Sequence, residues 1–178
     1  TFPCEPPFPP APVRRFETVA GLGFDFVEVP IEDPALVDLD VLREGLARTG
    51  LGLTLCAITG PQRDLTAEDE GPRRACLDYL ATCCAMAREL GCSFIAGPLY
   101  SAVGKARQLP PEARLREWDL AVSGLREACA IAGEHGVRLA LEPLNRFESD
   151  LVNTAAQARR MVDEIDHPAA AIALDGFH

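Results

Sequence analysis

No run of about eighteen apolar residues occurs anywhere in the 178 residues, so the sequence offers no membrane-spanning helix. The start, Thr1-Phe2-Pro3-Cys4-Glu5, lacks the basic opening and apolar stretch of a secretory signal. Basic residues are scarce too: 17 Lys and Arg face 27 Asp and Glu, for a net charge of -10. A surface of that sign repels phosphate backbones and anionic headgroups, which argues against nucleic acid and membranes as partners. The expectation is a soluble, cytoplasmic protein.

Several catalytic signatures are missing. The seven cysteines are odd in number and contain no Cys-x-x-Cys pair, so neither a zinc knuckle nor a disulfide framework is indicated. Gly97 to Gly104-Lys105 has six residues between its glycines where a P-loop has four, and Ala106 stands where a magnesium-binding hydroxyl belongs. Gly21-Leu22-Gly23 is followed by Phe26 and makes no dinucleotide fingerprint. Gly-x-Ser-x-Gly is absent, and no cysteine has an evident histidine partner, which leaves covalent nucleophile chemistry unsupported.

What is present is an ordinary globular composition, 48% hydrophobic and 25% charged, at a length that fits one domain and falls short of the roughly 250 residues of a full eight-stranded α/β barrel. Six of the first twelve residues are proline, so residues 1–13 read as an extension that cannot enter a sheet, with the domain proper over 14–178. Short apolar runs at Phe24 to Val29, Leu53 to Ile58, Ser93 to Ala96, Arg138 to Leu141 and Ala171 to Leu174 read as strands. The gaps between them each admit one helix, implying βαβ units and a parallel sheet.

The helical stretches carry their own signals. Cys76, Leu80, Cys83, Cys84, Ala87 and Leu90 form one stripe ahead of Gly91, and Trp118, Ala121, Val122, Leu125, Cys129 and Ala132 form another between Pro111 and Gly136. Thr154 to Gln157 has the spacing of a capping box, predicting a helix that buries Ala158, Met161, Val162 and Ile165. Shorter helices are expected near Arg15 to Ala20 and Asp40 to Thr49. Periodicity alone leaves two arrangements open, an open flavodoxin-like sheet and part of a (β/α)8 barrel.

Acidic residues cluster at strand ends. Glu142 directly follows Arg138 to Leu141 and precedes Pro143, which points its carboxylate into the mouth at the carboxyl edge of the sheet, where α/β sites form. Asp175 repeats that geometry one unit later. Like charges on adjacent strands repel unless a cation is shared, so the pair reads as oxygen ligands to a divalent metal, or else as the charged margin of the core. Glu28 and Asp25 are weaker candidates, readable as solvated strand-end charges. Tyr100 and Cys56, at the ends of neighbouring strands, either line a pocket or fill the top layer of the core. His135 suits the negative end of a helix dipole, and His167 reads as a turn residue.

These residues resemble the ketose 3-epimerase family, which includes D-tagatose and D-psicose 3-epimerases, within the xylose isomerase-like barrels. The similarity lies in Leu141-Glu142-Pro143-Leu144-Asn145-Arg146-Phe147-Glu148, in Leu151 to Ala156, and in Leu174-Asp175-Gly176-Phe177-His178, close to the family's Asp-Thr-Phe-His with Gly176 in place of Thr. The resemblance implies a TIM-barrel type of fold of which about five to six βα units are present, the C-terminal strands being absent from these residues. It implies that Glu142 and Asp175 ligate a divalent ion, with Mn2+ expected and Co2+ or Mg2+ as alternatives, and that Glu142 also moves a proton. Glu148 and His178 match residues that hydrogen-bond a small-molecule sugar, and Tyr100 and Cys56 are the further pocket candidates.

The implied reaction is epimerisation of a free keto-sugar through an enediolate, which needs acid/base groups on both faces of the sugar. The family completes its site with a histidine and a second glutamate from two later strands. A homo-oligomer, dimer or tetramer, is expected. Rival readings keep the barrel and change the reaction (hydroxypyruvate isomerase, inosose dehydratase, sugar-phosphate epimerase), or make the chain a noncatalytic truncated barrel.

Overall fold

The computed structural model describes residues 12–178; the extension expected over 1–13 falls outside these except at its last two positions, which open a helix. Helix α1 (Pro12–Gly21) leads into β1 (Phe26–Ile31), a short 3-10 turn (Pro34–Leu36), α2 (Leu39–Thr49) and β2 (Gly52–Ala57). Then follow α3 (Glu70–Glu89), β3 (Phe94–Gly97), α4 (Pro111–Glu134), β4 (Arg138–Leu141), α5 (Ala155–Ile165) and β5 (Ala170–Ile172). Among the described residues, no helix is long and apolar enough to cross a membrane.

The five strands are parallel and lie side by side in chain order, β1-β2-β3-β4-β5. A doubly wound sheet reverses its order at a switch point, whereas right-handed crossovers in unbroken sequence lay every helix on one face, as in a barrel wall. Alternation along β1 agrees: Val29 and Ile31 are buried under the helices, while Phe26, Glu28 and Pro30 face the open side. The arrangement is therefore five consecutive units of a TIM-barrel wall, and the flavodoxin-like alternative is set aside.

Local chemistry fixes the helix ends. The Asp38 carboxylate accepts from the Asp40 and Val41 amides at 3.0 and 3.1 Å to start α2. Thr154 and Gln157 form the reciprocal capping box of α5, as the spacing predicts. The stripes of α3 and α4 are buried against the sheet, each fully covered leucine such as Leu80 or Leu125 contributing about 2 kcal/mol. Burial pushes the Cys76 and Cys84 thiols up to about 12 and those of Cys83 and Cys129 to about 11, so these act as small hydrophobes, not nucleophiles.

Four strands are displaced from the sequence reading, β2 and β3 by a single residue and β1 and β5 by up to two. β1 extends through Pro30 to Ile31 because it pairs on one side only, so the missing Pro30 donor interrupts no ladder. β5 ends at Ile172, with one further bond from the Ala173 amide to Leu141 O at 3.0 Å, and the chain turns away before Asp175.

Candidate active site

Glu142 is pinned through its main chain. Its amide donates to Gly97 O at 3.0 Å, and its carbonyl accepts the Tyr100 hydroxyl at 3.0 Å. Gly97 has φ +132°, and a Cβ there would lie 2.4 Å from Ala57 O. Only glycine lets β3 come this close to β2, and that approach sets the height at which Glu142 leaves the sheet.

Asp175 stands one unit along. Its Oδ1 accepts from the Phe177 amide at 2.8 Å, and its carbonyl from the His178 amide at 3.3 Å, a turn that folds His178 back over the strand ends. One ligand atom each from Glu142, Asp175 and His178 lie within 4.8 Å of one another. The His178 backbone is exposed, but its imidazole is only 13% exposed, against 15% for the Glu142 side chain.

The imidazole has a defined orientation. Nδ1 lies 3.1 Å from both the Asn145 amide nitrogen and Asn145 Nδ2, two donors, so it accepts there. Nε2 then carries the hydrogen and faces Glu142 Oε1 at 3.7 Å. For the same reason the 3.5 Å approach of Nδ1 to Glu148 Oε2 is proximity, not an ion pair. In this tautomer His178 is a donor into the site, and the two carboxylates are the pair free to hold a cation. Asn145 also donates to Glu148 Oε2 at 2.6 Å, tying Glu148 to the group.

The electrostatics are unbalanced. Burial raises the Glu142 carboxyl; the neighbouring imidazole opposes this, while Asp175, Glu28 and Glu148 push it further up. Glu28 is raised by burial and then by Asp175. Glu28, Glu142 and Asp175 line one cleft of about 240 Å3 together with Leu174 and the small residues Ala96, Ala173 and Gly176. Glu142, raised by desolvation and by the carboxylates around it, and Asp175 at the end of the adjacent strand offer a pair of oxygen donors that fits a hard divalent cation.

Tyr100 and Cys56 do not line that cleft. Tyr100 is fully buried beneath the loop after β4, its hydroxyl 3.0 Å from the carbonyls of Glu142 and Val152 and accepting from the Leu144 amide at 3.3 Å. Cys56 faces the open side in register with Pro30 and Ala96, its thiol pushed up to about 12 by burial and then by Glu28 and Glu142. Asn145 stands in the segment that carries the resemblance but has no role assignable from sequence, and Glu28 is a weaker candidate there. Glu28 was traceable through the alternation of its strand, which aims residue 28 at the open face, whereas the role of Asn145 depends on how its loop folds.

This cleft of carboxylates lies at the carboxyl ends of consecutive parallel βα units, where α/β barrels place their active sites. Residues 16–178 match the xylose isomerase-like TIM barrel family, and the chain belongs to it. It is 31% identical over 165 residues to the L-ribulose 3-epimerase of Mesorhizobium japonicum, covering 93% of this chain and 54% of that protein. It is 30% identical over 156 residues to the ketose 3-epimerase of Arthrobacter globiformis, covering 88% and 53%. The solved structure of D-psicose 3-epimerase with D-tagatose from Clostridium cellulolyticum superposes with a TM-score of 0.82 at 26% identity, covering 96% of this chain and 60% of that one. The chain thus spans about half the length of the curated relatives it matches.

Proposed function

We propose that this chain carries one half of the catalytic centre of a divalent-metal-dependent ketose 3-epimerase acting on a free keto-sugar. The observation that carries the reading is the convergence of Glu142, Asp175 and His178 at the ends of adjacent strands. The curated relatives named as 3-epimerases of ribulose and other ketoses support it.

Glu142 and Asp175 would hold the ion, Mn2+ by preference with Co2+ or Mg2+ as alternatives. Bound there, it would supply positive charge against the negative charge that develops on the ketose oxygens during proton removal. Glu142, whose carboxyl lies above the ordinary range, is placed closer to the point where it can both take and return a proton. His178 presents Nε2–H as a donor to a sugar oxygen, and Glu148 accepts from a hydroxyl. Inversion needs a second acid/base group on the opposite sugar face, which this reading assigns to the part of the relatives' length that the chain does not span.

A free sugar is favoured over a sugar phosphate by the state of the cations. Lys105 is 2.6 Å from Asp64 and only 19% exposed, and none of the residues lining the cleft is basic. Turnover of D-fructose and D-tagatose by the natural full-length protein, with and without Mn2+, tests the reaction. At a hundredfold excess over Kd the ion should add about 2.7 kcal/mol to stability. Glu142→Gln and Asp175→Asn should each abolish that rise in Tm; an undiminished rise in both would refute the ligand assignment.

A further inference from the structure

The loops at the carboxyl edge of the sheet hold a second group of charges that the chemistry above does not use. Lys105 Nζ is 2.6 Å from Asp64 Oδ2, donates to Thr66 Oγ1 at 2.5 Å and lies 3.7 Å from Glu117 Oε2. Asp64 Oδ1 in turn accepts from the Thr66 amide at 2.9 Å, the Thr66 hydroxyl at 2.7 Å and the Ala102 amide at 3.3 Å. Arg107 grips Glu117 through two bonds of 2.9 and 2.8 Å, and takes Asp150 through its amide at 2.7 Å and its guanidinium at 2.9 and 3.1 Å. Arg114 donates to the Asp150 carbonyl. One network thus joins the loop after β2, the loop after β3, the first turns of α4 and the loop after β4.

Its output is at Glu148. The Gly104 amide, next to Lys105, donates to the Glu148 carbonyl at 2.8 Å, and Asp150 follows Glu148 by two residues. The Glu148 main chain is therefore held from the loop after β3, and its carboxylate from Asn145. Partly buried ion pairs recover little net stability after desolvation, so a network of five charged side chains is better explained by the geometry it fixes. We infer that Lys105 and Arg107 are positioning residues for Glu148: they clamp the loop after β3 against the loop after β4 and so set where the Glu148 carboxylate meets a sugar hydroxyl. This rests on the ketose reading of Glu148.

The test uses the natural full-length protein with Mn2+ and its preferred ketose, together with amide hydrogen exchange. In Arg107→Met, KM should rise about tenfold with kcat reduced less than about threefold, the pattern of lost ground-state binding. In a Glu148→Gln background the same change should move KM less than about twofold, because an effect exerted through Glu148 disappears with it. Arg107→Lys, which cannot grip both acids bidentately, should fall between. Exchange at the Glu148, Ser149 and Leu151 amides should quicken about tenfold in Arg107→Met while β1 and α2 stay unchanged.

Equal KM effects in both backgrounds, or unaltered exchange in that loop, would overturn the inference. If the wild type turns over no ketose, the function reading fails, and the exchange measurement decides the positioning alone. Lys105→Met repeats the test from the other end should Arg107→Met prove unstable, with the same outcomes deciding.

Discussion

Asp64 and Glu142 shift in opposite directions: at 5% exposure the Asp64 carboxyl is held low, at 15% the Glu142 carboxyl is raised, and the contrast separates a scaffold acid from the one proposed to move a proton. Burial pulls the Asp64 carboxyl upward, but the Lys105 ammonium and the two Thr66 donors outweigh it and hold the group below the usual carboxylate range. Glu142 has burial and like charges against it and only the imidazole in its favour. A depressed folded value means that Asp64 contributes stability above its unfolded value of about 3.9, lost as pH falls through the folded one. Asp64→Asn should therefore cost about 3 kcal/mol at pH 7, where it strands the partly buried Lys105. That cost should shrink steadily below pH 4, since the wild type is then losing the same charge. Urea titrations of both proteins from pH 7 to pH 3 measure it, and parallel pH profiles would contradict the assignment.

Strand β3 is the element on which the site depends most, and Gly97 is its weak point. Alanine there would combine an unfavourable φ with a Cβ 2.4 Å from Ala57 O, so Gly97→Ala should cost about 3 kcal/mol and drive β3 from β2. Because the Glu142 amide bonds to Gly97 O, the metal-dependent stabilisation proposed for Glu142 and Asp175 should weaken with it, readable as a smaller rise in Tm on adding Mn2+. A variant of wild-type stability would show that the sheet can open there without cost. Elements of this kind are where the sequence reads best. Helix periodicity, the Thr154 capping box and the glycines after α3 and α4 are local signals, and they locate α3, α4 and α5. Glu142 and Asp175 were legible because each ends an apolar run, which fixes its place at the mouth before any tertiary contact is known. The clamp was not legible. Asp64, Lys105, Arg107, Glu117 and Asp150 meet across separations from 10 to 43 residues with no shared period, and only the folded loops bring them together.

The sheet as a whole has one finished face and one unfinished one. Helices cover one side, while the other carries Phe26 at 66% exposure, Glu28, Phe94 and Arg138, and β1 and β5 each pair with a single neighbour among the described residues. An exposed apolar face bounded by unpaired strand edges recruits further chains. Opposing this is a net charge of -10, which keeps like copies apart at low ionic strength. The 178 residues expressed alone should therefore self-associate in a way that salt promotes, since added salt screens the repulsion and leaves the apolar attraction intact. Light scattering coupled to size exclusion should give a mass that climbs above 19.2 kDa with concentration, up to on the order of 100 µM, and climbs faster in 0.5 M NaCl than in 0.05 M. Phe26→Ser should lower that mass without unfolding the chain, because the Phe26 ring lies on the open face against Gly52 and supports nothing in the buried core. A 19.2 kDa species at every concentration and salt would mean that the open face is covered from within the chain.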